Sequence, residues 1–132
     1  MSEAQSLELK VQSKSFQESL KKYGSGSMTE EHRIMNEIRT ALSEAGCISF
    51  RMNVGKMKTP DGRYFDTGVP VGFSDIFGFR KSDGRAFFIE VKTSKGRLSP
   101  KQKIFLEAMQ SAGAIAGVCR SKEDAKKLIK GE

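Results

Sequence analysis

The stretch that most constrains this chain is a pair of apolar runs joined by a turn. The first runs from Phe73 to Phe79 and the second from Ala86 to Lys92, with Lys81-Ser82-Asp83-Gly84-Arg85 near the junction. Asp-Gly between apolar runs is a strong hairpin signal, because glycine accepts the positive φ such turns demand. Antiparallel strands are therefore predicted over Phe73–Arg80 and Ala86–Lys92. In that pairing Asp75, near the start of one strand, faces Glu90, near the end of the other. Glu90 and Lys92 are two apart, so both side chains leave one face. Two carboxylates and an ammonium thus converge on one spot. Carboxylate oxygens suit Mg²⁺ or Mn²⁺, and a lysine is a point charge for a phosphate oxygen or an attacking water. Taken alone, Glu90 and Lys92 read better as a same-face ion pair on a strand.

The rest of the chain frames this hairpin. Residues 1–27 are polar, with Leu7, Leu9, Val11, Phe16, Leu20 and Tyr23 thinly spread, and end in Gly24-Ser25-Gly26-Ser27. This reads as an arm and flexible linker, either an engineered junction ahead of a native start at Met28 or a native arm. The domain is expected over 28–132. Thr29 to Ala45 predicts a helix, N-capped by Thr29, striped by Ile34, Ile38, Ala41, Leu42 and Ala45, and closed by Gly46. Glu31 falls on the buried side of its wheel, Glu30 and Glu37 nearer the edge, and His32 toward the polar face. Ile48 to Val54 predicts the first strand. Ile48, Phe50, Met52 and Val54 alternate with Ser49, Arg51 and Asn53, and this polar set either faces solvent or lines a groove. Gly55 to Gly72 is a long basic connection carrying Lys56, Lys58 and Arg63, of a length that is usually functional or disordered.

After the hairpin, Lys95 and Arg97 flank Gly96 and suit backbone-phosphate contacts. Ser99-Pro100-Lys101-Gln102 opens a helix to about Ser111, with Ser99 as N-cap and Gln102 at the capping-box position. Ile104, Phe105, Ala108 and Met109 are expected to pack it on the sheet. Ala114 to Cys119 is a short buried strand, and strand–helix–strand implies a parallel, right-handed unit. Arg120 follows it, as a phosphate contact or a surface ion pair, and Ser121 caps a last helix. The order is helix, three-stranded meander, helix, strand, helix: an α/β fold with a mixed sheet.

With 132 residues the chain is one domain. Its net charge is +7 and its pI about 9.5. Residues 1–27 hold four lysines and three glutamates, so six of the seven excess positive charges lie in 28–132. A basic domain suits a polyanion. Two cysteines, Cys47 and Cys119, without C-x-x-C, exclude a disulfide framework and argue against zinc. No stretch suits a membrane span and no signal peptide is visible, so the expected compartment is a reducing cytoplasm. No phosphate-binding loop is present, so no nucleotide cofactor is expected, and one histidine leaves little for a His-based nuclease.

Asp75, fourteen residues, then Glu90-x-Lys92 resembles the PD-(D/E)xK nuclease motif. The surrounding words are more specific: Gly68-Val69-Pro70-Val71-Gly72-Phe73-Ser74-Asp75, Ile89-Glu90-Val91-Lys92-Thr93, Gly96-Arg97-Leu98-Ser99-Pro100-Lys101-Gln102, Ala112-Gly113, and Val118-Cys119-Arg120-Ser121. Together they resemble the virus-type replication-repair nuclease domain (VRR-NUC), in its small, stand-alone, phage-type form, over about residues 28–132.

The resemblance implies a PD-(D/E)xK restriction-endonuclease-like core of order α-β-β-β-α-β-α. It implies metal-dependent hydrolysis of DNA, leaving a 5′-phosphate and a 3′-hydroxyl. Asp75, Glu90 and the Val91 carbonyl would hold Mg²⁺ or Mn²⁺, with Glu31 as the helix acid. Lys92 would act on the attacking water, and Gln102 matches a characteristic glutamine near the site. Phe50-Arg51-Met52-Asn53-Val54-Gly55 matches the family locally, which favours the groove for Arg51 and Asn53. With Lys56, Lys95, Arg97 and Arg120 they form the candidate DNA contacts. Small phage-type members resemble branched-DNA endonucleases acting as homodimers on four-way junctions, in host-cell cytoplasm if phage-encoded. The alternatives are a flap or single-strand nuclease, and a non-catalytic nucleic-acid-binding module with a nuclease fold.

Overall fold

The computed structural model of the chain describes residues 29–53 and 56–131, with Lys56 and Met57 described by backbone alone. The arm and linker of residues 1–27, Val54, Gly55 and the Lys56 side chain lie outside the described residues. In chain order the elements are α1 (Glu30–Glu44), β1 (Cys47–Arg51), β2 (Lys56–Lys58), β3 (Tyr64–Asp66), β4 (Ile76–Arg80), β5 (Ala86–Val91), α2 (Pro100–Ser111), β6 (Ile115–Cys119) and α3 (Lys122–Lys130).

The hairpin forms where the Asp-Gly signal puts it. Gly84 has φ +70°, its N–H bonds Arg80 O at 2.7 Å, and Arg80 N bonds Arg85 O at 3.0 Å. The Asp83 carboxylate pairs with the Arg80 guanidinium. β4 and β5 run antiparallel with Ile76 opposite Ile89. β1 pairs antiparallel with β4, and β6 pairs parallel with β5, giving a four-stranded mixed sheet in the order β1-β4-β5-β6.

Central β5 is covered on both sides. Phe87, Ile89 and Val91 join Ile34, Ile38 and Leu42 of α1 and Ala125 and Ile129 of α3 in one cluster. Phe88, on the opposite face, packs under α2 with Leu106, Phe73 and Phe105. Phe73 and Phe105 lie 4.6 Å apart, and each meets Phe88 edge-on, a preferred geometry for aromatic pairs. Full burial of one such phenylalanine contributes about 1.5–3 kcal/mol.

Three readings change. Phe50 is 45% exposed while Ser49 is 2% exposed, so within β1 the serine turns to the core and the phenylalanine to solvent, whereas Arg51 and Asn53 are exposed. β1 is an edge strand, α1 covers the face that holds Cys47 and Ser49, and α2 lies over β5 and β6 instead. Ile104 is 65% exposed and Ala108 is exposed. Phe105, Leu106 and Met109, at helical spacing from Gln102, carry the packing of α2 instead. The long connection is not a plain loop, because β2 and β3 pair within it as a separate ribbon.

Candidate active site

Asp75 is the last residue before β4. One step beyond the Ile76–Ile89 pair, it comes opposite Glu90, so both acids lie at one end of the sheet on one face. Backbone bonds fix it there. Met52 N donates to Asp75 O at 2.8 Å, and Val91 N donates to Asp75 Oδ2 at 2.9 Å. Just upstream, Gly72 has φ +95°, and an added Cβ would lie 2.8 Å from Lys101 O. Only glycine lets this turn press against the first turn of α2, and that contact brings Gln102 to the acids.

Glu90 is 2% exposed. Its Oε1 accepts from Gln102 Nε2 at 2.9 Å and lies 3.8 Å from Lys92 Nζ. Its Oε2 is buried with no donor. Burial pushes the carboxyl up to about 8, and the facing Asp75 carboxyl adds to that; Lys92 opposes it and the charge of Glu31 reinforces it. Two carboxyl groups facing each other in a dry place call for a proton or a cation between them.

Gln102 settles a competition that its position in the sequence left open. The Ser99 hydroxyl accepts from Gln102 N at 3.2 Å, and Ser99 N donates to Gln102 Oε1 at 2.9 Å. That uses the carbonyl end of the amide for the helix cap and leaves its NH₂ end for Glu90. One side chain makes both the cap bond and the bond to Glu90. Lys92 is held by packing. A Cβ on Gly96 would come within 3.2 Å of Lys92 Cδ, so the turn lies close over the lysine stem. Arg120 Nη1 pins that turn through the Thr93 and Gly96 carbonyls at 2.6 Å each, and Arg120 N bonds Asp124.

Glu31 is exposed in the first turn of α1, not on the buried side its wheel position implies, yet its charge reaches Glu90. Glu30 is exposed, and Glu37 pairs with Arg33 at 3.1 Å. Arg51, Asn53, Lys95 and Arg97 are all exposed, clear of the Asp75–Glu90 hydrogen bonds. Arg51 Nη2 lies 3.2 Å from His32 Nε2. Arginine only donates, so Nε2 accepts and Nδ1 carries its hydrogen toward Thr29 Oγ1, 2.7 Å away. Buried Arg39 was missed by the sequence reading; desolvation and the charge of Arg51 lower its pKa. Its place after Met35 on the buried side of the wheel was the available signal.

The donor set fits a hard divalent cation. Two carboxylates, one with a buried oxygen that no donor meets, supply oxygen ligands of the kind Mg²⁺ and Mn²⁺ take. Among the described residues no group of three or more His, Cys, Asp or Glu side chains is gathered as a cage. Among the described residues no helix is long and apolar enough to cross a membrane.

The model of the VRR-NUC domain family matches residues 29–123. A solved VRR-NUC domain structure superposes with a TM-score of 0.56 at 22% identity, covering 77% of this chain and 96% of that one. At that identity the likeness speaks for the fold. No curated protein matches the chain.

Proposed function

The chain belongs to the VRR-NUC domain family, and from that premise we propose that it is a Mg²⁺- or Mn²⁺-dependent, structure-selective DNA endonuclease with its active centre at Asp75, Glu90 and Lys92. The VRR-NUC domain implies nuclease activity with DNA as substrate, and such domains are generally divalent-metal dependent. The observation that carries the residue assignment is the Asp75–Glu90 pair, with the buried Glu90 Oε2 lacking a donor and Lys92 Nζ 3.8 Å from Oε1.

Asp75, Glu90 and the Val91 carbonyl would hold the cation, and Glu31 would bind through water or hold a second ion. The cation, when bound, polarises the phosphate and lowers the pKa of a water. Val91 N–H fixes one Asp75 oxygen, and Gln102 fixes Glu90 Oε1, so the remaining oxygens are aimed before substrate arrives. Lys92 orients the attacking water and offsets charge that develops on the phosphate. Arg51, Asn53, Lys95 and Arg97, all exposed, suit contact with the sugar–phosphate backbone, as Lys56 does from its place in the sequence. Such contacts position DNA without reading bases. Arg120 serves the site through the Thr93–Gly96 turn. A branched substrate such as a four-way junction and a homodimer follow from the resemblance to small phage-type members. Two-fold symmetry would present two such sites to paired strands.

The test is cleavage of a labelled four-way junction and its matched linear duplex with Mg²⁺, Mn²⁺ or EDTA, beside Glu90→Ala and Lys92→Ala. Symmetric nicks in the junction, lost in EDTA and in both variants, are expected. Binding without cleavage in either metal would overturn the catalytic reading. Cleavage of other DNAs would remove the junction preference.

A further inference from the structure

The β2–β3 ribbon interrupts the main sheet at its active end. The chain leaves after β1 and returns at Asp75, and the two sides of this excursion are tied by Met52 N to Asp75 O at 2.8 Å. The ribbon is thus rooted on an active-site acid. Its turn is braced locally: Thr59 N donates to Arg63 O at 2.7 Å, Gly62 N to Thr59 O at 3.0 Å, and Arg63 Nε to Asp61 Oδ2 at 2.8 Å. Tyr64 is 76% exposed and its neighbour Phe65 is 56% exposed. Successive strand residues point to opposite faces, so each face of the ribbon presents an open aromatic ring. A two-stranded ribbon is marginal by itself, and large rings exposed on both of its faces point to a ligand. The register sets Lys58 directly across from Tyr64, hence on the same face, and Lys58 is exposed.

A flat ring beside an ammonium matches a nucleobase beside its phosphate. Every base offers a π-face, and base–aromatic stacking tolerates any sequence. A base inside a duplex is already stacked, so only an unpaired one is available to Tyr64. We propose that the β2–β3 ribbon recognises unpaired bases near the scissile phosphate, with Tyr64 as the stacking surface and Lys58 as the adjoining phosphate contact. This rests on the nuclease reading and deepens it, because the ribbon would add a preference for DNA that carries exposed bases. The positive excess carried by residues 28–132 and the rooting of the ribbon at Asp75 favour nucleic acid over a second copy of the chain.

The test uses the full chain in Ca²⁺-containing buffer, with fluorescein-labelled single-stranded DNA, a flapped duplex and a blunt duplex of the same sequence, read by anisotropy. Tyr64→Ala is expected to weaken single-strand and flap binding roughly 5- to 100-fold and to leave the blunt duplex within about twofold. Tyr64→Phe keeps the ring and is expected to bind like wild type. A 2-aminopurine in the flap is expected to be quenched by wild type and not by Tyr64→Ala. Lys58→Ala is expected to lower the salt slope of binding by about one. Tyr64→Ala binding every DNA like wild type would overturn the proposal while leaving the nuclease reading intact. So would equal losses on all three DNAs accompanied by a halved mass in light scattering, which would assign the ribbon to a second copy. Absence of wild-type binding to any DNA would overturn the nuclease reading and this inference with it.

Discussion

Glu90→Gln is expected to be more stable than the wild-type protein at neutral pH in EDTA, and to lose that advantage when a divalent cation is added. The Glu90 carboxyl sits at about 8 in the fold against an ordinary 4.5. Between those values the folded protein keeps a proton that the unfolded chain has released. The Glu90 contribution to wild-type stability therefore falls as pH rises from 4.5 toward 8, and is flat on either side. At 1.36 kcal/mol per pH unit, the loss is on the order of 3 kcal/mol at pH 7 and about 5 kcal/mol above pH 8. Glutamine is neutral throughout. It keeps an oxygen for Gln102 Nε2 and sets an NH₂ against the Asp75 carboxylate, so the variant has no such slope. A cation at a hundred times its dissociation constant stabilises wild type by about 2.7 kcal/mol and leaves the variant unchanged. Urea unfolding followed by far-ultraviolet circular dichroism, from pH 4.5 to 8.5 with EDTA or Mg²⁺, reads both effects. A wild-type minus variant difference independent of pH, or a wild type more stable than the variant in EDTA at pH 8, would refute the argument.

Three further outcomes follow from the same geometry. Ser99→Ala keeps the backbone N–H on Gln102 Oε1 and should cost about 1 kcal/mol of stability. Ser99→Pro suits the φ of −71° there but removes that N–H. It should therefore weaken Mn²⁺ binding roughly tenfold beyond Ser99→Ala, read by electron paramagnetic resonance of free Mn²⁺; equal affinities would show that the cap does not orient the amide. Gly96→Val drives a side chain into the Lys92 stem, since a Cβ there already lies 3.2 Å from Cδ. Cleavage should fall about tenfold or more with the unfolding midpoint little changed, and unaltered cleavage would free Lys92 from the turn. Burial, with the charge of Asp124, pushes the Cys119 thiol up to about 12, and Cys47 is buried too. Both should react with Ellman's reagent at pH 8 only as fast as the protein opens, and rapid labelling of the native protein would contradict that burial.

The elements readable from sequence are those whose causes are close together along the chain. The Asp83-Gly84 turn, the Thr29 and Ser99 caps and the α1 stripe each depend on residues within a few positions. The facing of Asp75 and Glu90 follows from the hairpin register alone. The Ser99–Gln102 capping box was likewise legible. Its use of only one end of the Gln102 amide was implicit in the chemistry, but which acid the other end reaches was not.

Tertiary structure decided what covers each face. In β1, alternation says that Ser49 and Phe50 point to opposite sides. Only the seating of α1 over an edge strand buries the serine and leaves the phenylalanine half in water. The same non-local choice exposes Ile104, buries Arg39, and turns a basic connection into a ribbon with Tyr64 and Phe65 uncovered. It also brings Gly96 and Arg120, from either side of α2 in the chain, onto the Lys92 turn. Local sequence sets periods, caps and turns because these involve neighbours in the chain. Burial and site electrostatics depend on which distant surfaces meet, and that is settled only when the whole sheet and its helices have packed.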